Sequence, residues 1–296
     1  MTLARPPVAD APERLPHLPA WITRGQGWAP QDQGFAAGAA LAHLQLVLAR
    51  DTVPVELLRQ RLALRAAETS VTLTGRPERV AEMRDAVHFL RPGDRPGPAG
   101  DVLLAWLRAV DHPISGKALH RALPDHAPTQ LATWIAAGSG APSNRAAAVL
   151  ETLETDLPGA GTEALILADA ALSRAVGWRH MLPLLGTTLT ARDLRKSAEV
   201  LQSGCQRALI AAVTEALLLA DDLTRRAARL RAVAPKLRGR GADQAVALFL
   251  SRDALAPTAL TGFMSGRAAR RICDRLVDLA AVRELTGRDT FRLYGV

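Results

Sequence analysis

Aromatic residues make up only 4% of this 296-residue chain, although 48% of it is hydrophobic. The apolar content is therefore mostly alanine, leucine and valine, a mixture that favours helices over strands. Cysteine occurs twice, as Cys205 and Cys273 on separate predicted helices. That leaves no disulfide framework and no zinc-ligand spacing, and reads as a reduced, cytoplasmic protein. No uninterrupted apolar run approaches the roughly 18 residues of a membrane span. Pro6, Pro7, Pro12, Pro16, Pro19 and Pro30 deny residues 1–30 the apolar stretch of a signal peptide. A soluble protein with no membrane partner is expected. Glycine-rich phosphate loops are missing too, since 93–100 fits neither the P-loop nor the dinucleotide fingerprint. Ser173, Ser197 and Ser251 lack a nucleophile-elbow context, and no internal repeat holds a fixed period.

What the chain does have is charge of one sign, unevenly placed. The formal net charge is +8. Residues 225–241 carry Arg225, Arg226, Arg229, Arg231, Lys236, Arg238 and Arg240 with no acid, and 242–296 carry eight arginines against six acids. The remainder is close to neutral, so the positive field belongs to the C-terminal quarter and points to an anionic partner there.

The periodicity predicts a mainly α fold: a Pro-rich extended arm over 1–30, pinned by Trp21 and Trp28, then a multi-helix bundle body over 31–241. Residues 35–50 are apolar almost throughout, which suits a buried helix. Pro54 and Pro77 are placed where a helix can open, and Gly75 breaks the chain between them. The stretch 91–100 (RPGDRPGPAG) is the clearest irregular connection and a possible sub-boundary. A short apolar helix containing Trp106 follows, with further breaks at 138–143 and 158–161. Thr162 is read as the N-cap of a helix ended by Gly177. Thr190 and Asp193 form a capping-box-like start to a long helix, or two with a break near Gly204, ended by Pro235.

Residues 242–296 carry the strongest signature. A helix over 243–250 and a short one from Pro257 precede a third over 266–279, for which Ser265 is a good N-cap. At 100° per residue, Ala269, Ile272, Cys273, Leu276, Leu279 and Ala280 fall on one side, and Arg267, Arg270, Arg271, Asp274, Arg275 and Asp278 on the other. Two extended runs, 282–285 and 291–294, are joined through Gly287 like a hairpin. The pattern predicts a winged helix-turn-helix with a short two-stranded wing.

The phrases Arg270-Arg271-Ile272-Cys273-Asp274-Arg275-Leu276, Val282-Arg283-Glu284-Leu285-Thr286-Gly287-Arg288 and Phe291-Arg292-Leu293-Tyr294-Gly295 resemble the winged-helix tails of several bacterial proteins. Together with Arg91-Pro92-Gly93-Asp94, Leu103-Leu104-Ala105-Trp106 and Leu182-Pro183-Leu184-Leu185-Gly186, they are similar to the bacterial family catalogued as domain of unknown function 1403. That resemblance spans nearly the whole chain from about residue 30. It implies a bacterial, cytoplasmic protein and brings no catalytic residues.

The expected function is binding of double-stranded DNA, as a transcriptional regulator or plasmid-maintenance factor. Ser265 and Gly266 open the recognition helix, Arg267, Arg270 and Arg271 address the major groove, and Arg288 projects from the wing into the minor groove. Arg275, Arg283 and Arg292 meet phosphates, which position rather than specify. The basic side chains are expected to converge in one cradle, and the helical body to serve a homo-oligomer. Two other classes stay open: a scaffold whose winged helix binds protein, and an enzyme with a site in the body. Catalytic signals are weak. His112, His120 and His126 are poorly spaced for a metal, and no cofactor or metal is expected. Cys205 and Cys273 sit on apolar faces, Asp221 and Asp222 point apart, and His180 is read as a packed helix start.

Overall fold

A computed structural model describes residues 14–25, 28–91, 93–196, 198–237 and 239–296. Readings that fall on Pro6, Pro7, Pro12, Pro92, Ser197 and Arg238 lie outside the described residues. The N-terminal half is built from α1 (Ala20–Thr23), α2 (Pro30–Leu48), α3 (Val55–Leu73), α4 (Val80–His88), α5 (Gly97–Asp111), α6 (Gly116–Ala122) and α7 (Pro128–Trp134). Next come α8 (Pro142–Asp156), α9 (Gly161–Val176), α10 (Leu185–Thr188), α11 (Ala191–Leu194) and α12 (Ala198–Val233). After a 3-10 turn at Ala234–Lys236 follow α13 (Ala242–Phe249), a second 3-10 turn at Pro257–Leu260, and α14 (Gly266–Asp278). Among the described residues the single sheet is the antiparallel pair β1 (Arg283–Glu284) and β2 (Tyr294–Gly295). The fold is mainly α.

Proline places several starts, because its missing N–H costs nothing in a first turn; α2, α7 and α8 all open on one. The boundaries differ from the sequence reading wherever a distant partner decides them. Pro77 lies before α4, which starts at Val80 with the Glu82 carboxylate accepting the Arg79 N–H. The irregular stretch 91–100 is shorter than expected, since its last four residues already belong to α5. Thr162 lies inside the first turn of α9, whose N-cap is Ala160, while Gly177 ends the helix as read. Thr190 and Asp193 do form a capping box, but it caps only the four residues of α11. The long helix starts afresh at Ala198 and runs unbroken past Gly204. His180 opens no helix; it bridges Pro113 in the connection after α9.

α9 is the central helix, with every residue from Leu165 to Ser173 buried. α12 packs its 3–4 stripe, Leu209, Val213, Ala216, Ala220, Leu223 and Leu230, into the same core alongside α2, α8 and α3. By length and composition the segment Ala198–Lys236 meets the measure of a bilayer-crossing helix, yet its apolar stripe is spent inside the protein. α2 also departs from the reading as a buried helix, because Phe35 is 69% and Leu46 73% exposed. The described part of the arm is docked: Leu15, Leu18 and Ile22 are buried, and the Leu15 N–H donates to Asp221.

One carboxylate stands in this apolar interior. Asp169 accepts the backbone N–H groups of Leu184, Leu185 and Gly186 at 3.1, 2.8 and 2.9 Å, satisfying the otherwise orphaned start of α10. Gly186 is required at that point because a Cβ there would lie 2.4 Å from the Trp106 ring. Burial pushes the Asp169 carboxyl up to about 7, against the pull of its three backbone donors. A carboxyl raised in the folded state favours folding when protonated. Its contribution is complete below about pH 4 and is lost as the pH rises to about 7, by up to roughly 4 kcal/mol. Urea midpoints across that range are expected to fall for the native chain and to run flatter for Asp169→Asn.

Candidate nucleic-acid interface

Ser265 starts α14 by accepting the Ala268 N–H at 3.3 Å through its side chain. Ala269, Cys273 and Leu276 are buried, with Ile272 and Leu279 half-buried beside them. Ala280 lies past the helix end, exposed and at a φ of 51°, and so leaves the buried side predicted for it. Arg267, Arg270, Arg271 and Arg275 are all exposed. Among the described residues no carboxylate lies within 4.0 Å of any of these four guanidinium groups. Arg270 does not pair with Asp274 one turn on; Asp274 accepts the Tyr294 hydroxyl at 3.4 Å.

A cleft of about 1120 Å³ runs along one flank of α14. One wall is the linker that follows α12, with Lys236, Leu237 and Arg240; the other is Met264, Ala268, Arg271, Ile272 and Arg275. Its charged lining is wholly cationic, and Phe263 contributes an apolar patch. Gly241 shapes the linker wall, since its φ of 88° and the 2.8 Å approach of Phe263 leave no room for a side chain. The linker and the third helix therefore come together as the sequence suggested.

The β1–β2 segment does not join them. β1 and β2 pair Arg283 with Gly295 and Glu284 with Tyr294, and Leu255 adds a bridge to Tyr294. The paired residues are thus shifted towards the chain end, and Phe291 lies in the loop at a φ of 54°. Arg288 is turned onto the body rather than projecting from a free tip. Its Nη2 lies 2.6 Å from Asp85 Oδ1, and its guanidinium sits 5.4 Å from the Phe89 ring centroid. Phe291 meets Phe89 edge-on, and Arg292 Nε donates to the Arg288 carbonyl at 2.8 Å. Arg283 is exposed but faces a different cleft, shared with Arg226 and Arg229. Burial and the Arg226 charge depress its pKa. Arg225 and Arg226 are ion-paired with Asp221 and Asp222. The single continuous cradle is thereby divided.

Sequence reasoning missed the group that fixes the C-terminal elements in place. Asp253 is buried, with Arg84 Nε 2.6 Å from its Oδ2 and Arg61 Nε 2.8 Å from its Oδ1. Arg61 also donates to the Val296 carbonyl at 2.9 Å. Arg252 pairs with Asp111 on α5 at 3.1 Å. Buried residues of 242–296, including Phe249, Leu260, Cys273 and Val296, belong to the same apolar core as the body. These partners lie more than a hundred residues apart in sequence, so only an acid inside an apolar phrase (Asp253 before Ala-Leu-Ala) hinted at them.

The other candidates do not assemble. His120 Nδ1 lies 2.8 Å from the His126 carbonyl, His112 contacts Arg121, and His126 packs edge-on against Trp134. No three metal-ligating side chains meet among the described residues. Burial pushes both cysteine thiols up to about 12, so they remain protonated packing groups.

A family model described as "Protein of unknown function (DUF1403)" matches residues 7–296. No curated protein matches the chain.

Proposed function

Because the chain belongs to the DUF1403 family, whose description assigns no activity, we propose from its own geometry that it binds double-stranded DNA through α14 and the adjoining linker. The observation that carries this reading is the set of exposed arginines on α14 with no ion-pair partner, beside an acid-free basic cleft. Unpaired cations gathered on one convex helix and one concave flank are what a polyanion with a protruding backbone needs. On this reading 242–296 is a winged helix-turn-helix, and α14 enters the major groove from its Ser265-Gly266 end. Arg267, Arg270 and Arg271 reach base edges. One strand's phosphates follow the cleft past Arg275, Lys236 and Arg240, while Arg283 meets a phosphate beyond the helix end. Arg288 holds the wing on the body, Arg292 ties the wing loop to the Arg288 carbonyl, and both contribute little to DNA. The protein then works in the cytoplasm, where duplex DNA is present in bacteria.

Salt dependence tests it. With about five phosphates neutralised, the log–log plot of duplex affinity against salt should have a slope near −4 to −5. Negligible duplex binding at physiological ionic strength would overturn the reading and leave protein binding or catalysis as the classes to pursue.

A further inference from the structure

α2 carries an apolar face that stays largely exposed among the described residues. Phe35, Ala39, Ala42 and Leu46 fall within about 40° of one direction at 100° per residue, with Gly38 just beside them. Phe35 and Leu46 are 69% and 73% exposed, and Trp21, itself 50% exposed, stacks on Phe35 at 5.8 Å. A Cβ built on Gly38 would meet no atom within 4 Å. Between Asp32 and Arg50 the helix has no Asp, Glu, Lys or Arg, in a chain of net charge +8.

We propose that this face is the contact between two copies of the chain, paired through antiparallel α2 helices. Two features select a second copy as the occupant. Two chains of net charge +8 repel one another, and a contact between copies is least opposed where the face carries no charge, as here. Its size order also reads the same in both directions, large at Phe35, small at Gly38, Ala39 and Ala42, large at Leu46. A twofold axis between Ala39 and Ala42 sets Phe35 against the partner's Leu46 and Leu46 against the partner's Phe35. The small residues between them let the two backbones approach. The helix has 19 residues and is about 28 Å long, so the contact falls at the small end of stable interfaces and the affinity in the micromolar range. The surface lies apart from α14 and its cleft, so the inference does not rest on DNA binding.

Sedimentation velocity of the full chain, loaded from roughly 1 to 100 μM, tests this range. The weight-average mass is expected to rise from 31.5 kDa towards twice that value. Phe35→Glu and Leu46→Glu each place a charge opposite apolar side chains and should raise the dissociation constant on the order of 100-fold. Gly38→Leu fills the seam, and its Cβ meets no atom within 4 Å, so it should remain folded by circular dichroism and monomeric. Val200→Glu, exposed on α12, should leave association unchanged. A monomer at every concentration would overturn the proposal, and so would a dimer that survives the Phe35 and Leu46 substitutions together.

Discussion

Replacing Asp253 with alanine is expected to cost about 3–5 kcal/mol of stability, the range found when one partner of a buried ion pair is removed. The side chains of Arg61 and Arg84 are only 14% and 13% exposed, and both lose their carboxylate at once. Among the described residues neither has another acid within 4.0 Å, and the remaining Arg61 donations go to the main-chain oxygens of Asp253 and Val296. The damage should begin locally. β2 and the bridge between Leu255 and Tyr294 sit directly on Asp253, and a Cβ at Gly295 would lie 2.7 Å from the Asp253 carbonyl. Hydrogen exchange should therefore accelerate first in β1, β2 and the segment before Pro257, ahead of the α9 core. Arg84→Ala should cost less, because Arg61 still neutralises the carboxylate. An Asp253→Ala chain with a native denaturation midpoint and native exchange would show that the clamp contributes nothing.

The elements that were legible in the sequence are those whose signal is local. The phase of α14 and its Ser265 cap could be read directly, because three apolar positions at helical spacing and a capping hydroxyl need no distant partner. The basic linker beside it was legible as charge, and its convergence with α14 follows from Pro235 ending α12 one short turn earlier. Local rules failed where a distant residue intervenes. Thr190 and Asp193 made the expected box, yet nothing near them announces that the chain turns again before Ala198. Arg288 looked free because its partner, Asp85, is 203 residues away. Nothing near Asp169 in the sequence announces its role, which depends on a loop that returns to it from beyond Gly177. α2 misled in the opposite sense: a helix rich in alanine and leucine gives no sign of which side will find no neighbour.

Charge reversal on α14 should have the largest effect on duplex binding. Arg267→Glu with Arg271→Glu removes two unpaired guanidinium groups from the helix that the proposal places in the major groove. Each arginine at a base edge is worth about 1–3 kcal/mol, so the pair should weaken binding on the order of 100-fold or more. The loss should be greater on a preferred sequence than on random duplex. Lys236→Glu with Arg240→Glu should instead weaken all sequences alike and make the salt slope shallower by about two. Arg288→Glu separates this arrangement from a wing that reads the minor groove. Asp85 already neutralises Arg288 at 2.6 Å, and Phe89 covers its guanidinium, so reversal there should leave duplex affinity within about twofold, the modest scale of a rim or surface charge. The side chains of Arg288 and Asp85 are 44% and 35% exposed, which keeps the cost to stability small and the comparison clean. If Arg288→Glu abolished binding while the α14 pair left it intact, the anion would have to meet the protein on the opposite side of the β pair.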